Sequence, residues 1–315
     1  MRLHLSSLRL RGGSGVGRMR ARASPRGVDG SIKVERTLNK QKGLLVLALV
    51  VLAPAFFPAA YASAPTPPCS GPSGLLGLLD RPTISDSSCV VPEGMTVLEA
   101  GATAGNLYGA PSGEVDTLPN LELRWGLPGN SEFVWLPPSF QYESVDAGPL
   151  GPAATVSGFG PTTVGIKHEL GYTQHWQWTA EALATLPSGD STFGSHGLGM
   201  AVSGIISYGS GPFGVSLMAG VSSETEPTAA GGQRFQSFNP DLTVTWASTS
   251  RLQFYAEVYG QSHAGYAQGW GTDADGGLQY LVTPDFEVDL EEGVRIQGNL
   301  GGFSNYTGAG LGLLF

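Results

Sequence analysis

The most constraining feature of this sequence is an alternation of short and long connections between segments whose hydrophobicity repeats every two residues. Such segments lie at about 95–105, 117–127, 131–143, 161–170, 175–186, 197–208, 211–223, 236–248, 250–262, 273–283, 285–292 and 305–315. Short connections alternate with the long ones, 106–116, 144–160, 187–196, 224–235, 263–272 and 293–304. Transmembrane barrels have an even number of antiparallel strands, short turns at one end and long loops at the other. The sequence therefore predicts an all-β protein, a closed antiparallel transmembrane β-barrel of about 12 strands, of the outer-membrane type.

The last segment shows how the barrel is expected to close. Thr307, Ala309, Leu311, Leu313 and Phe315 share one face of an extended strand, and glycines occupy most of the other. An unpaired apolar edge strand promotes aggregation, so this strand is expected to pair with the first one and to face lipid. Tryptophans beside the short turns predict an aromatic girdle at that rim.

The N-terminal part has a different composition. Residues 1–62 carry eleven Arg and Lys and two acidic residues, and an uncharged run at 43–57 follows Lys42. That run is too short for a membrane-spanning helix, and small residues follow it. We interpret residues 1–62 as a basic leader plus a signal peptide that is removed on export, with translation starting at Met1 or Met19.

The mature chain is acidic. Residues 63–315 hold six basic against twenty-four acidic residues, which argues against a nucleic-acid-binding domain. Residues 63–94 are predicted to form a short periplasmic segment tied by a Cys69–Cys89 disulfide, because both cysteines belong to the exported part. No metal site is predicted, since no histidine lies near them. Residues 95–315 form the barrel.

Polar residues that alternate with the lipid-facing ones should point into the barrel. The candidates for lining a solute path are Glu122, Arg124, Lys167, Glu169, Glu181, Arg251, Glu257, Glu287 and Asp289. Charged groups inside a membrane must line water or pair with one another. Because acids far outnumber bases, we expect a polar lumen that favours cations. The alternative is a plug of ion pairs that braces a narrow barrel.

An enzyme is the less favoured reading. An outer-membrane lipase would need Ser, His and a carboxylate or carboxamide together near one rim. His168 and His175 flank a short turn, and His196 and His263 lie in or near long loops, but no Gly-x-Ser-x-Gly motif accompanies them. We predict no catalytic residues.

Several stretches resemble the outer-membrane proteins grouped as the MetA-pathway of phenol degradation. They are Cys69, 89–92 with Gly94, 98–101, 121–126, 160–165, 241–246, 253–257 and Phe315. The resemblance implies a transporter for aromatic or other small hydrophobic compounds. In related barrels the C-terminal strand with its final aromatic also resembles the signal read by the barrel-assembly machinery.

Together these observations predict an outer-membrane channel that allows passive uptake of small molecules. The expected partners are outer-membrane lipid, small solutes and, through Phe315, the barrel-assembly machinery; no cofactor or nucleic acid is expected. A plugged structural or surface-interaction barrel that uses the long loops 144–160 and 263–272 is the alternative, and an outer-membrane lipase comes after it.

Overall fold

The computed structural model describes residues 69–71, 73–109, 112–146 and 152–315. The predicted leader and signal peptide lie outside the described residues. A short helix, α1 (Gly74–Leu78), precedes the sheet, and a 3-10 turn covers Thr228–Ala230. The strands are β1 (Thr96–Leu107), β2 (Gly113–Leu127), β3 (Ser131–Leu136), β4 (Phe140–Val145), β5 (Ala154–Phe159), β6 (Thr163–Tyr172), β7 (Trp176–Thr185), β8 (Gly199–Ser210), β9 (Phe213–Thr225), β10 (Arg234–Ala247), β11 (Leu252–Gln261), β12 (Gly271–Thr283), β13 (Phe286–Gln297) and β14 (Phe303–Leu314).

The sheet closes on itself through its first and last strands. β1 pairs antiparallel with β2 on one side and with β14 on the other, with Val97 opposite Leu314. Thr96 and Phe315 exchange two backbone hydrogen bonds of 2.7 and 2.9 Å. A closed antiparallel barrel with the terminal strand beside the first is therefore confirmed, and the closure leaves neither β1 nor β14 with a free edge.

Two of the twelve positions around the barrel are occupied by interrupted strands. β3 and β4 pair with the two ends of the long strand β2, and the chain between them contains Pro137 and Pro138. Next to them, β5 pairs with β4 and β6 pairs with β3, with Pro161 between. Proline has no N–H to donate to a ladder, so it interrupts pairing at these points.

These interruptions correct two predicted boundaries. The predicted strand 131–143 is broken into two pieces at residues 137–139. The predicted strand 161–170 is preceded by β5, so residues 154–159 of the predicted long loop 144–160 are strand rather than loop. The twelve-stranded closure is unaffected because each pair of pieces occupies one position.

The two faces of the barrel differ as the alternation predicted. On β13, Leu290 and Val294 are exposed on the outside, whereas Glu287, Asp289 and Glu291 are buried inside. The same pattern of exposed aliphatic residues continues on β8 to β10. A water-facing barrel would have the opposite arrangement, so the outer face is suited to lipid. No helix in the described ranges is long and apolar enough to cross a membrane.

Aromatic rings gather at the short-turn end of the barrel. Trp125 stacks on Phe133 and Trp135 with ring centroids 5.7 and 6.4 Å away. On later strands Trp176 packs against Tyr208 at 4.9 Å, and Trp246 packs against Phe254 at 5.6 Å. This is the arrangement expected for a girdle at a lipid–water interface.

The segment before β1 folds into the barrel. Its α1 leucines, Leu75, Leu76 and Leu78, pack with Val91, Val97 and Leu281 in a small apolar cluster near the short-turn end. Cys69 and Cys89 form the predicted disulfide. From the sequence, this segment is expected in the periplasm, with no position inside the lumen. We call residues 73–91 the plug.

Candidate functional site: a plugged, acidic lumen

Carboxylates of the barrel wall hold the backbone of the plug. Glu99 accepts hydrogen bonds from the N–H groups of Asp80 (3.2 Å) and Arg81 (2.6 Å). Further around the barrel, on β11, Glu257 accepts from the N–H groups of Ile84 (2.7 Å) and Ser85 (2.9 Å). Hydrogen bonds to a carboxylate are stronger than neutral ones, so these side chains fix the path of the plug across the lumen.

A cluster of buried ion pairs connects the plug with β2, β3 and β6. The Asp80 carboxylate lies 3.3 Å from Arg124 and 3.0 Å from Lys167. Arg124 also pairs with Glu99 at 2.7 Å and with Glu132 at 3.2 Å. All five side chains are fully or almost fully buried, and removing one member would leave a buried charge uncompensated.

A second ion pair connects the plug with the seam of the barrel. The Arg81 guanidinium pairs with Asp289 at 2.9 Å and lies 3.7 Å from Glu291. It passes between Gly101 of β1 and Gly310 of β14, where an added Cβ would come within 2.3 Å of guanidinium atoms. A side chain at either position would collide with Arg81, so the glycines of the terminal strand provide room for the plug.

The nine predicted lining residues fall into three groups. Arg124, Lys167, Glu257 and Asp289 contact the plug. Glu122, Glu181 and Glu287 are buried on the inner face. The remaining two lie near the short turns: Glu169, half-buried, accepts a hydrogen bond from Gln177, and Arg251 is exposed.

Sequence reasoning missed Asp80, Arg81 and Glu132. Glu132 could have been found, because Phe133 and Trp135 alternate with Glu132 and Val134 along β3. Asp80 and Arg81 gave no such signal. They belong to a non-periodic segment, and their partners are distant in sequence.

Among the described residues, at least two cavities in the barrel are bounded in part by the plug. One has about 770 Å³ of empty space open to solvent and is lined by Ile84 of the plug and by residues that include Asp241, Tyr259, Asp273 and Phe303. We call it the β10–β12 cavity. The other, with about 750 Å³, is lined by Arg81 and by residues that include Glu122, Leu183 and Pro161.

One serine–histidine pair lies on the outer face near the short-turn end. The Oγ atom of Ser131 is 2.8 Å from Nδ1 of His168, and both residues belong to paired positions of β3 and β6. A triad also needs a group that orients the imidazole and an oxyanion hole. Within the described residues, no carboxylate hydrogen bond to His168 accompanies this pair. Groups of His, Cys, Asp and Glu arranged to hold a metal ion are likewise absent from the described part.

Comparison with known proteins gives a family match. The model of the family described as "Putative MetA-pathway of phenol degradation" matches residues 79–302, which include plug residues 79–91 and most of the barrel. No curated protein matches the chain.

Similar solved structures are barrels of the outer membrane. A COG4313 outer membrane channel from Pseudomonas putida F1 superposes with a TM-score of 0.55 at 12% identity, over 73% of this chain and 99% of that one. The NanC porin gives 0.45 at 14% identity, covering 69% and 98%. A KdgM porin in complex with disordered oligogalacturonate gives 0.46 at 9% identity, covering 70% and 99%. At such identities the P. putida likeness establishes the fold.

Proposed function

The chain belongs to the MetA-pathway of phenol degradation family, and from that premise we propose that it is an outer-membrane channel for the passive uptake of small aromatic or other hydrophobic compounds. After export through the signal peptide, the barrel inserts with its short turns in the periplasm and its long loops outside. The cargo is a neutral or positively charged solute rather than an anion. No catalytic step is required of any residue.

The observation that carries this proposal is the inversion of polarity across the barrel wall. Aliphatic side chains such as Leu217, Leu242 and Val258 are exposed on the outside, while Glu181, Glu257 and Asp289 are buried inside. A wall of this kind is stable only with lipid outside and with water or compensating charges inside. The two cavities beside the plug supply space for a solute within that polar interior.

The plug sets the size of what can pass. It runs through the lumen from Glu99 on β1 to Glu257 on β11, and it borders both cavities. We infer that small solutes pass beside the plug, and that larger ones need it to shift. The buried ion pairs of Arg81 and Asp80 oppose that shift, because separating them exposes uncompensated charges.

Single-channel recording tests the proposal. The full chain, reconstituted in planar bilayers, should give small conductance steps and a reversal potential that indicates cation preference. Liposome swelling with phenols, sugars, amino acids and fatty acids should be fastest for small phenols. Protein-free liposomes provide the control, because phenols also cross lipid unaided.

The competing function is a surface-interaction barrel that stays plugged. The ion pairs that hold the plug favour this alternative, which would use the part of 144–160 that connects β4 with β5 and the loop 263–272. It predicts no conductance steps and no solute-dependent swelling. A lipase function rests on the Ser131–His168 pair alone; it would require fatty-acid release from phospholipid that Ser131→Ala abolishes.

A further inference from the structure

Three polar side chains form a row across neighbouring strands in the long-loop half of the barrel. Asp241 of β10 is the register partner of Tyr259 of β11, and Tyr259 is the partner of Asp273 of β12. All three side chains line the β10–β12 cavity. Because adjacent strands lie about 4.8 Å apart, the two carboxylates flank the phenol ring with backbones about 10 Å apart.

Each carboxylate at the ends of this row has at least one oxygen without a hydrogen-bond partner in the described residues. Asp273 is fully buried at 0% exposure, and neither of its oxygens has a hydrogen-bond partner. Asp241, 3% exposed, has one oxygen that accepts a hydrogen bond from Thr243 and another that has no partner. Burial of an ionised carboxylate without compensation is strongly unfavourable. Both groups therefore have unused capacity for a positive charge or a donor within the cavity.

The base nearest to the row in register makes its ring contact and hydrogen bond elsewhere, although its charge still acts on Asp273. Arg295 of β13 is the register partner of Asp273. Its guanidinium carbon lies 3.5 Å from the centre of the Tyr108 ring, and it donates a hydrogen bond to the backbone oxygen of Gly298. The ion pairs described above lie instead around Arg81, Arg124 and Lys167, at the plug and the opposite wall.

One part of the cavity wall is apolar. Met218, Leu300 and Phe303 form it together with Ile84 of the plug, and the remaining wall includes the polar residues Ser203, Ser222, Glu224, Asn239 and Gln261. Phe303 is held by an edge-to-face contact with Tyr306, with ring centroids 4.8 Å apart. A cavity with an apolar wall, an aromatic ring and two carboxylates that each keep an unpartnered oxygen matches a ligand with a hydrophobic body and a cationic head, since a cation is attracted both by carboxylates and by a ring face.

We propose that the β10–β12 cavity is a binding site for amphipathic organic cations, namely ammonium compounds with an aromatic or short alkyl body. The ammonium group lies between Asp241 and Asp273 beside the Tyr259 ring, and the body packs on Met218, Leu300 and Phe303. The plug, through Ile84, completes the site. This inference rests on the proposed channel function and specifies a solute class for it.

Equilibrium binding to the purified full chain in detergent micelles tests the site with three probes of one shape. They are benzyltrimethylammonium, benzyl alcohol and benzoate, measured by titration calorimetry with empty micelles as blank. The cation should bind with a Kd at least about tenfold lower than the alcohol, and benzoate should not bind. Equal Kd values for the cation and the alcohol would overturn the proposal.

Isosteric variants locate the site. Asp273→Asn and Asp241→Asn each remove a charge without changing side-chain size, and each should raise the Kd of the cation about tenfold while leaving that of benzyl alcohol unchanged. Glu292→Gln is the matched control: this carboxylate is exposed on the outer face of β13, and its loss should change neither Kd. Gel mobility shows whether both Asp variants are folded. If they are folded and the Kd of the cation is unchanged in both, the cation binds elsewhere and the assignment is overturned.

Liposome flux separates this inference from the channel function. If benzyl alcohol and phenol enter faster through the wild type but the cation shows no tighter binding, the channel stands and the cation site fails. If the cation binds tightly and depends on Asp273, yet no solute crosses and no conductance appears, the site stands on a plugged barrel and the channel fails.

Discussion

The guanidinium of Arg81 occupies the space where Gly310 has no side chain: a Cβ at that position would lie 2.3 Å from the Nε atom of Arg81. Arg81 cannot move aside without losing its 2.9 Å contact to Asp289. The glycine-rich inner face of the terminal strand is therefore a socket for the plug rather than empty lumen.

Gly310→Ala should therefore loosen the plug. The added methyl group collides with a buried, ion-paired side chain, and relief requires Arg81 to withdraw. We expect larger or more frequent conductance steps in planar bilayers. Gly204→Ala is the matched control, because a Cβ there meets nothing within 4 Å. An equal change in both variants would show that the effect comes from strand glycines in general and not from the socket.

Arg81→Ala should have a stronger effect. It leaves the Asp289 carboxylate buried without its guanidinium partner, and breaking a buried pair from one side costs about 3–5 kcal/mol. We expect the plug to leave the lumen for a larger fraction of time, which raises the mean conductance and exposes the segment to added protease.

The double variant Arg81→Ala/Asp289→Asn provides the control for that experiment. Removal of the orphaned charge should recover part of the lost plug stability, so conductance and proteolysis should fall below those of Arg81→Ala alone. Identical behaviour of the single and double variants would mean that the ion pair does not hold the plug.

The disulfide should limit how far the plug can move. Cys69 and Cys89, 20 residues apart, close a loop that contains plug residues 73–88. A cross-link over a loop of this length contributes about 3 kcal/mol by restricting the open chain. Reductant added on the short-turn side should therefore raise mean conductance of the wild type. The Cys69→Ser/Cys89→Ser variant should start at that higher level and not respond to reductant; a response there would point to another target.

The side chains on the inner face of the barrel were largely predictable from sequence, but the groups that they contact in the lumen were not. Period-two alternation placed Arg124, Lys167 and Glu257 inside, where the structure has them buried. Alternation does not say what a side chain meets across the lumen, because that depends on the non-periodic plug. The partner of Lys167, Asp80, is 87 residues away in sequence, and no local pattern links the two.

The interrupted strands show a different reason for a wrong prediction. Pro137 and Pro138 stand in the predicted strand 131–143, and their missing N–H groups predict a break that the hydrophobic alternation concealed. The signal for β5 was equally weak. Its residues 154–159 are small or polar except for Val156 and Phe159, so they resemble a loop in composition although they pair with β4 along their whole length.

Ion selectivity tests the charge of the lumen as a whole. The buried carboxylates outnumber the three buried bases Arg81, Arg124 and Lys167. In a salt gradient the reversal potential of the wild type should indicate preference for cations. Asp273→Asn should reduce that preference, because it removes a buried carboxylate that has no hydrogen-bond partner among the described residues. Preference for anions would contradict the assignment of these residues to the conducting path.

Deletion of Phe315 should impair assembly rather than conduction. Its backbone closes the ladder with Thr96 through two hydrogen bonds, and its ring is 67% exposed at the short-turn rim, away from the lumen. The loss of one closing pair and of an interfacial ring weakens the seam between β1 and β14. We expect a lower yield of folded barrel in the membrane fraction, measured by heat-modifiable gel mobility, with unchanged conductance of the molecules that do insert.

Phe315→Tyr, which keeps the ring and the backbone pair, should restore the yield. If the deletion changed conductance while the yield stayed normal, the role of Phe315 at the seam would be wrong.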